Sequence, residues 1–422
     1  MISAHPHYSK HIFGLLALPV LSASFLVWAT APFHMGIAPD SIRYLSMAKH
    51  IAAGRGVAIY NGLDAPYSKP EAAFSPLMPA LLAFLFFLKI NLKASTTILN
   101  ATLFFLNLLL CGYLAAQASG RLRTGVLAQA LLFADIQWKE FHSWILSEPA
   151  FICMALFSTV FLVKHLETKK TKWLVFSALF ASFSALARPL GMAYIAAGGF
   201  CIFFLSDENF LNRLKKSALF FALSGGPFLA WLLRNRIVTG SFFGTHFGNM
   251  PTGYFPQTVT LSVLKDALTY PLRAGILPNL PILVLFWAWV VLSLFFIFKK
   301  NPRQGFFLPV MLGYSLFYIV FLIIVLAASH TATNPEASRY LFPAYAQLWC
   351  LVAVLLSKPA GKFMHFAGIG ALCLLSVYWI QANSDWTSKI KTVGVDRSSG
   401  IRWRFVDKIS WFPNSKPFPP SS

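Results

Sequence analysis

Five carboxylates stand where they could act on a bound molecule: Asp40, Glu71, Asp135, Glu140 and Glu148. The chain has only 14 acidic residues among 422, so an acid at the edge of an apolar run carries weight. Asp40 and Glu71 bracket the polar stretch Gly36 to Pro79, which is set between apolar segments. Glu148, in Leu-Ser-Glu-Pro-Ala-Phe, opens an apolar run, where an acid is expensive unless paired or at the water boundary. A carboxylate beside a hydroxyl can take its proton, and such general-base help contributes roughly 10²–10⁴ in rate. Each acid also has a plainer reading. Asp40 complements a helix N-terminus, and Glu148 does the same in a first turn ahead of Pro149. Asp64, Asp266, Asp385, Asp396 and Asp407 read as ordinary charges of outer loops.

Cations are placed to hold an anion on the same side. Arg43 and Lys69 flank the first loop, Arg188 ends an apolar run, Arg234 and Arg236 end another, and Arg339 precedes a further one. The positive-inside rule does not predict arginines at outer ends. A lipid phosphate or diphosphate fits them, because Arg and Lys make charge-assisted bonds to phosphate oxygens. The bland alternatives are ordinary anionic headgroups, or pairing with Asp40, Glu71 and Glu148.

These groups need elements to position them. Ile42, Leu45, Met47, Ala48, Ile51 and Ala52 recur at helical spacing, with Ser41 as a start signal and Gly54 as a stop. A helix of about 13 residues is too short to cross a bilayer. With Arg43, Lys49 and His50 on its polar side, it is expected to lie in the interface plane and hold Asp40 at its head.

Composition sets the rest. Hydrophobic residues make up 57% of the chain and charged residues 12%. The fold class is an all-α polytopic membrane protein. The net charge of +21 does not argue for nucleic acid, because many of the cations lie in short clusters between apolar runs. The first run, Ile12 to Pro32, reads as a spanning helix rather than a cleaved signal. Later runs cover residues 76–90, 97–117, 124–138, 144–163, 173–187, 189–205, 217–233, 279–298, 306–327, 341–357 and 363–380. Basic clusters at Lys164–Lys172, Arg213–Lys216, Lys299–Arg303 and Lys358–Lys362 are placed inside. Parity then requires that one of the runs at 76–90, 97–117 and 124–138 does not cross. Residues 76–90, short and interrupted by Pro79, are the choice, and failure of 124–138 to cross is the alternative. About eleven spans result. Residues 1–380 form one transmembrane domain with its first outer loop at 33–75, and 381–422 form a short outer tail. Five cysteines lie in apolar runs without a CxxC pair and read as small core residues. No zinc motif, Walker loop or dinucleotide fingerprint is present.

With these residues in view, the chain resembles the GT-C superfamily of membrane glycosyltransferases. The pattern is D-S-x-x-Y-x-x-x-A, then G-R-G, then F-S-P-L-M-P-A-L-L-A. It is carried by Asp40, Tyr44, Ala48, Gly54, Gly56, Pro70, Pro76 and Pro79. Glu148 in S-E-P, and Arg339, Tyr340 and Pro343 in R-Y-x-x-P, extend it. It is most similar to bacterial protein O-mannosyltransferases, lipid A aminoarabinose transferases and RgtA/B/C/D-like proteins. The resemblance implies a GT-C-like bundle in the inner membrane. Its donor would be a polyprenyl-phosphate-linked sugar, and its chemistry would take place on the periplasmic face. It implies Asp40 as base, Glu148 and Glu71 as further acids, and Lys69 near the donor phosphate, with Arg43, Tyr44, Arg188, Arg339 and Tyr340 toward substrate. Glu71 departs from the pattern: it follows the Lys-Pro pair, and Ser68 takes the position where some relatives carry the acid. A divalent cation is compatible with paired acids near phosphate but not demanded. The acceptor is a glycan, lipid or protein. A transporter or flippase of lipid-linked sugars is the rival. A non-catalytic membrane partner that keeps the fold is a third reading.

Overall fold

The computed structural model describes residues 13–32, 34–60, 68–244, 306–329 and 337–357, together with 290, 366, 369, 370 and 384–388. The side chains of 326–329 and 337–339 lie outside that description, as do, but for isolated residues, the runs expected at 279–298 and 363–380.

The described chain is almost wholly helical. A 3-10 turn leads into α1 (Ala17–Thr30), and α2 (Pro39–Ala52) follows a short loop. A two-stranded antiparallel hairpin comes next, β1 (Ala58–Tyr60) with β2 (Ser68–Pro70), placing Lys69 opposite Ile59. Then come α3 (Leu77–Phe87), α4 (Leu92–Ser119), α5 (Leu122–Ala134), α6 (Ile136–His142), α7 (Glu148–Thr168), α8 (Thr171–Ala187), α9 (Met192–Leu205) and α10 (Phe210–Thr239). Later in the chain come α11 (Phe307–Ser329) and α12 (Ala337–Ser357). Among the described residues six helices are long and apolar enough to cross a membrane: Phe13–Thr30, Leu92–Ser119, Glu148–Thr168, Phe210–Thr239, Phe307–Val325 and Tyr340–Ser357. Each expected run inside the described residues is helical over most of its length, but 124–138 is broken at Asp135 and the helix expected from 144 starts at Glu148.

The bundle has two distinct ends. At one, Gln129 of α5 donates to the Leu15 carbonyl, and Arg121 donates to the last carbonyl of α12, at Ser357. Lys164 at the foot of α7 lies 5.0 Å from the Trp173 ring and 5.8 Å from Tyr113 of α4. At the other end, Asn100 near the start of α4 donates to the Trp144 carbonyl just before α7. Helix α4 therefore runs from the second end to the first, and α5 runs back. Helix α3, 11 residues and ~16 Å long, is shorter than the hydrocarbon core. It joins the hairpin to α4.

Helix α2 ends as its sequence requires. Gly54 takes φ +72°, its N–H donates to the Ile51 carbonyl, and the Arg55 N–H donates to His50. This is a Schellman closure, which favours glycine. The start differs from expectation. Ala38 is the cap and Pro39 opens the first turn. Ser41 sits one turn inside, where its hydroxyl accepts from the Ala38 N–H and donates to the Ile145 carbonyl at 2.7 Å. The expected polar side is also narrower. His50 is buried against Tyr60, with ring centroids 4.5 Å apart, because the hairpin folds back over that face.

Small residues let α4 and α5 approach. A Cβ on Gly125 would lie 2.4 Å from the Gly112 carbonyl oxygen. Replacing Gly125 with Val should destabilise the fold by ~1–3 kcal/mol through overpacking. Gly225→Ala on α10, where a Cβ meets nothing within 4 Å, should be neutral or mildly stabilising. Thermal unfolding of both variants in detergent checks the contrast.

Candidate functional site

The site is built where two loops meet. The Gly36 N–H donates to the Ser143 carbonyl at 2.7 Å, and the Ile145 N–H donates to the Gly36 carbonyl at 3.0 Å. This bridge, with the Ser41–Ile145 bond, sets the head of α2 beside the head of α7. Asp40 and Glu148 thereby each occupy the first turn of a helix, where the dipole favours a negative charge by ~0.3–1 kcal/mol.

Between the two heads lies a polar chain. The Tyr44 hydroxyl donates to Ser147 Oγ at 3.0 Å, and Arg188 reaches the same oxygen at 3.3 Å. Arg188 Nη1 also pairs with Glu148 Oε1 at 2.6 Å. Its guanidinium lies over the Tyr340 ring at 5.3 Å, and the Tyr318 hydroxyl donates to the Tyr340 carbonyl. Glu148 and Ser147 are fully buried, whereas Asp40 is half-buried. Burial pushes the Tyr44 hydroxyl well above the usual tyrosine range, with Asp40 and Glu148 adding to the rise and Arg188 opposing it. Tyr44 therefore stays protonated and donates.

A second group lies on the hairpin side. The Glu71 carboxylate accepts from its own turn, from the Ala72 N–H at 2.9 Å and the Ala73 N–H at 2.7 Å. Its other oxygen lies 3.5 Å from Arg43 Nη1. Arg43 is exposed and sits 4.9 Å over the Phe74 ring, which packs edge-on to Tyr44 at 5.5 Å. Lys69 is exposed on β2. Two expected anion-holding arginines turn out otherwise. Arg234 donates to the carbonyls of Glu71 and Val57, and Arg236 to that of Gly240, so main-chain oxygens take up both. Arg339 falls in the first turn of α12, and its side chain lies outside the described residues. Asp135 caps α6 by accepting from the Gln137 N–H at 3.0 Å and also accepts from Trp349 at 2.9 Å, a structural duty. Among the described residues no three His, Cys, Asp or Glu side chains gather as a metal site would require.

Sequence reasoning missed a set of buried amides and the ring they touch. Asn100, Asn107, His142 and Ser147 are all buried. His142 donates from Nδ1 to the Trp138 carbonyl at 2.7 Å and accepts at Nε2 from Asn107 at 3.0 Å. The available signal was two asparagines seven residues apart within an apolar run, which places both on one helix face.

No protein-family profile matches the chain, and no curated protein sequence matches it. Solved structures do match. ArnT from Cupriavidus metallidurans bound to undecaprenyl phosphate aligns with a TM-score of 0.57 at 16% identity, over 82% of this chain and 60% of that one. The oligosaccharyltransferase of Archaeoglobus fulgidus in its apo form aligns at 0.55 and 13% identity, over 97% and 60%. The archaeal oligosaccharyltransferase AglB from the same organism, in complex with an inhibitory peptide and a dolichol-phosphate, aligns at 0.52 and 13%, over 89% and 56%. The chain thus spans about 60% of the length of the first structures it matches. These likenesses show a shared fold, a multi-pass helical membrane architecture of the kind that the GT-C resemblance leads one to expect.

Two outcomes are expected from this geometry. Arg188→Met strands a buried carboxylate and should cost ~3–5 kcal/mol, and adding Glu148→Gln should recover part of it. Chemical unfolding in detergent measures both. Burial lowers the Lys49 ammonium to about 8. The unfolded chain binds that proton up to a pH near its ordinary value, so stability should rise from about pH 8 toward pH 10. Lys49→Met should abolish that rise in a pH series of unfolding midpoints.

Proposed function

With the GT-C fold as premise, we propose that this chain is a glycosyltransferase that moves a sugar from a polyprenyl-phosphate-linked donor to an acceptor hydroxyl. The observation that carries the proposal is the placement of Asp40. It sits half-buried at the head of α2, within electrostatic reach of Tyr44 and hence of the Ser147, Glu148 and Arg188 group. Asp40 takes the proton as the hydroxyl attacks the anomeric carbon, and the bond from that carbon to the lipid phosphate oxygen breaks. Arg43 and Lys69, both exposed on this side, offset the charge of the departing phosphate. Arg188 acts on the same charge from within, with Glu148 and Tyr340 fixing its plane. Arg339 is assigned to the donor on sequence grounds alone. Glu71 carries its turn and Arg43 rather than a proton. Two of the structurally similar proteins hold undecaprenyl phosphate and dolichol-phosphate, which supports a lipid phosphate as the donor's carrier.

The orientation follows from charge. Arg121, Lys164, Lys169, Lys170 and Lys172 crowd the end opposite the site. The positive-inside rule then turns the site outward, to the periplasmic face of an inner membrane. Trp386 rests against Phe25 of α1. The acceptor is a glycan, lipid or protein of that compartment.

Asp40→Asn should lower transfer at least about 10²-fold while leaving the unfolding midpoint unchanged. The measurement is the mass of cell-envelope glycans in a strain lacking the gene and complemented with either form. Restoration of the wild-type glycan masses by Asp40→Asn would sink the reading.

A further inference from the structure

We propose that Asn100 and Asn107 of α4 are positioning residues that set the head of α7, and with it Glu148 and the Arg188 it holds. This rests on the role given to that group above. Asn100 Nδ2 donates to the Trp144 carbonyl at 2.8 Å, and Asn107 Nδ2 donates to the Pro149 carbonyl at 3.0 Å. Those two carbonyls stand on either side of Ser147 and Glu148. The two amides are seven residues apart, two helical turns or ~10.5 Å along α4. They grip the approach to α7 and its first turn from one rigid rail.

Three features point to positioning rather than packing. Both asparagines are fully buried, yet neither Oδ1 has a protein partner. An amide with half its polar capacity unmet is a poor choice for stability, and an apolar residue of the same size would serve a core better. The Trp144 carbonyl that Asn100 holds already accepts from the Leu146 N–H at 3.0 Å, so the extra donor adds direction more than satisfaction. Asn107 is itself oriented from behind. His142 donates through Nδ1 to Trp138, which leaves Nε2 as an acceptor and fixes which face of the Asn107 amide turns toward it. The ring is held between Phe104 at 4.8 Å and Trp138 at 5.0 Å, so the chain from α6 through α4 to α7 has little slack.

The test compares Asn100→Leu, Asn107→Leu and the double change Asn107→Leu with His142→Phe. The double change removes donor and acceptor together, so no orphaned nitrogen remains to upset folding. Each variant is read for its unfolding midpoint, its rate and KM for the glycan product lost in the deletion strain, and amide hydrogen exchange across residues 144–151. The expected result is a fall in rate of at least about tenfold with KM little changed. Exchange should rise at 144–151, with no matching loss of unfolding midpoint in Asn100→Leu or the double variant. Wild-type rates in those two variants, or a rate loss that tracks a lowered midpoint, would overturn the proposal. Glu148→Gln is measured beside them. If it alone transfers at the wild-type rate, the role given to Glu148 fails; if it is inactive while the asparagine variants are not, the positioning role fails.

Discussion

The short two-way hydrogen bond between Gly36 and the strand-like segment at Ser143–Ile145 is the constraint on which the site depends. These residues are more than a hundred positions apart, and no sheet surrounds them to make the pairing inevitable. The bridge is completed from the side by Ser41, whose hydroxyl serves its own helix and the Ile145 carbonyl at once. Three bonds therefore bring two helix heads together, and each head brings a carboxylate. Within a poorly hydrated bundle each such bond matters more than it would in water, because main-chain groups there have few other partners.

What the two heads share is a charge problem. A carboxylate as buried as Glu148 carries a desolvation cost of several kcal/mol unless a partner offsets it. Arg188 does so at 2.6 Å, and it is itself held by Ser147 and the face of Tyr340. The pair does not secure the fold cheaply; apolar residues of like volume would do that at least as well. Its effect is to fix a guanidinium between the head of α7 and the Tyr340 ring. The opposite end of the bundle follows another logic. Its lysines lie along the turns between helices and against Trp173 and Tyr113, as cations and aromatic rings do at a membrane boundary.

Much of this was legible in the sequence, and the parts that were not share a cause. Apolar runs gave the described helices because a bilayer forces every spanning segment into one. Gly54 gave the end of α2, since the left-handed residue of a Schellman turn favours glycine. Asp40, Tyr44, Glu148, Arg188 and Tyr340 were named for their sequence setting, and the structure brings Tyr44, Glu148, Arg188 and Tyr340 into one chain of contacts with Asp40 at its edge. Pairing was what sequence could not give. Nothing local in Leu-Leu-Arg-Asn-Arg says that Arg234 will be taken up by the carbonyls of Glu71 and Val57, 163 and 177 residues away. Likewise, nothing local in Asn100 or Asn107 says which carbonyls they will find. A polar side chain in an apolar run announces a partner without naming it.

The difference between the three acids then assigns their work. Glu148 is fully buried and bound to Arg188, so its charge is committed to orienting a cation. Glu71 accepts two amides of its own turn and meets Arg43, which holds its carboxylate to the hairpin. A general base must exchange a proton with a molecule that comes and goes, and so must lie where that molecule can reach it. Of the three, only Asp40 keeps part of its surface outside the packed interior. It stands in the first turn of α2, one turn from Tyr44, whose hydroxyl meets the Ser147 oxygen that Arg188 also reaches.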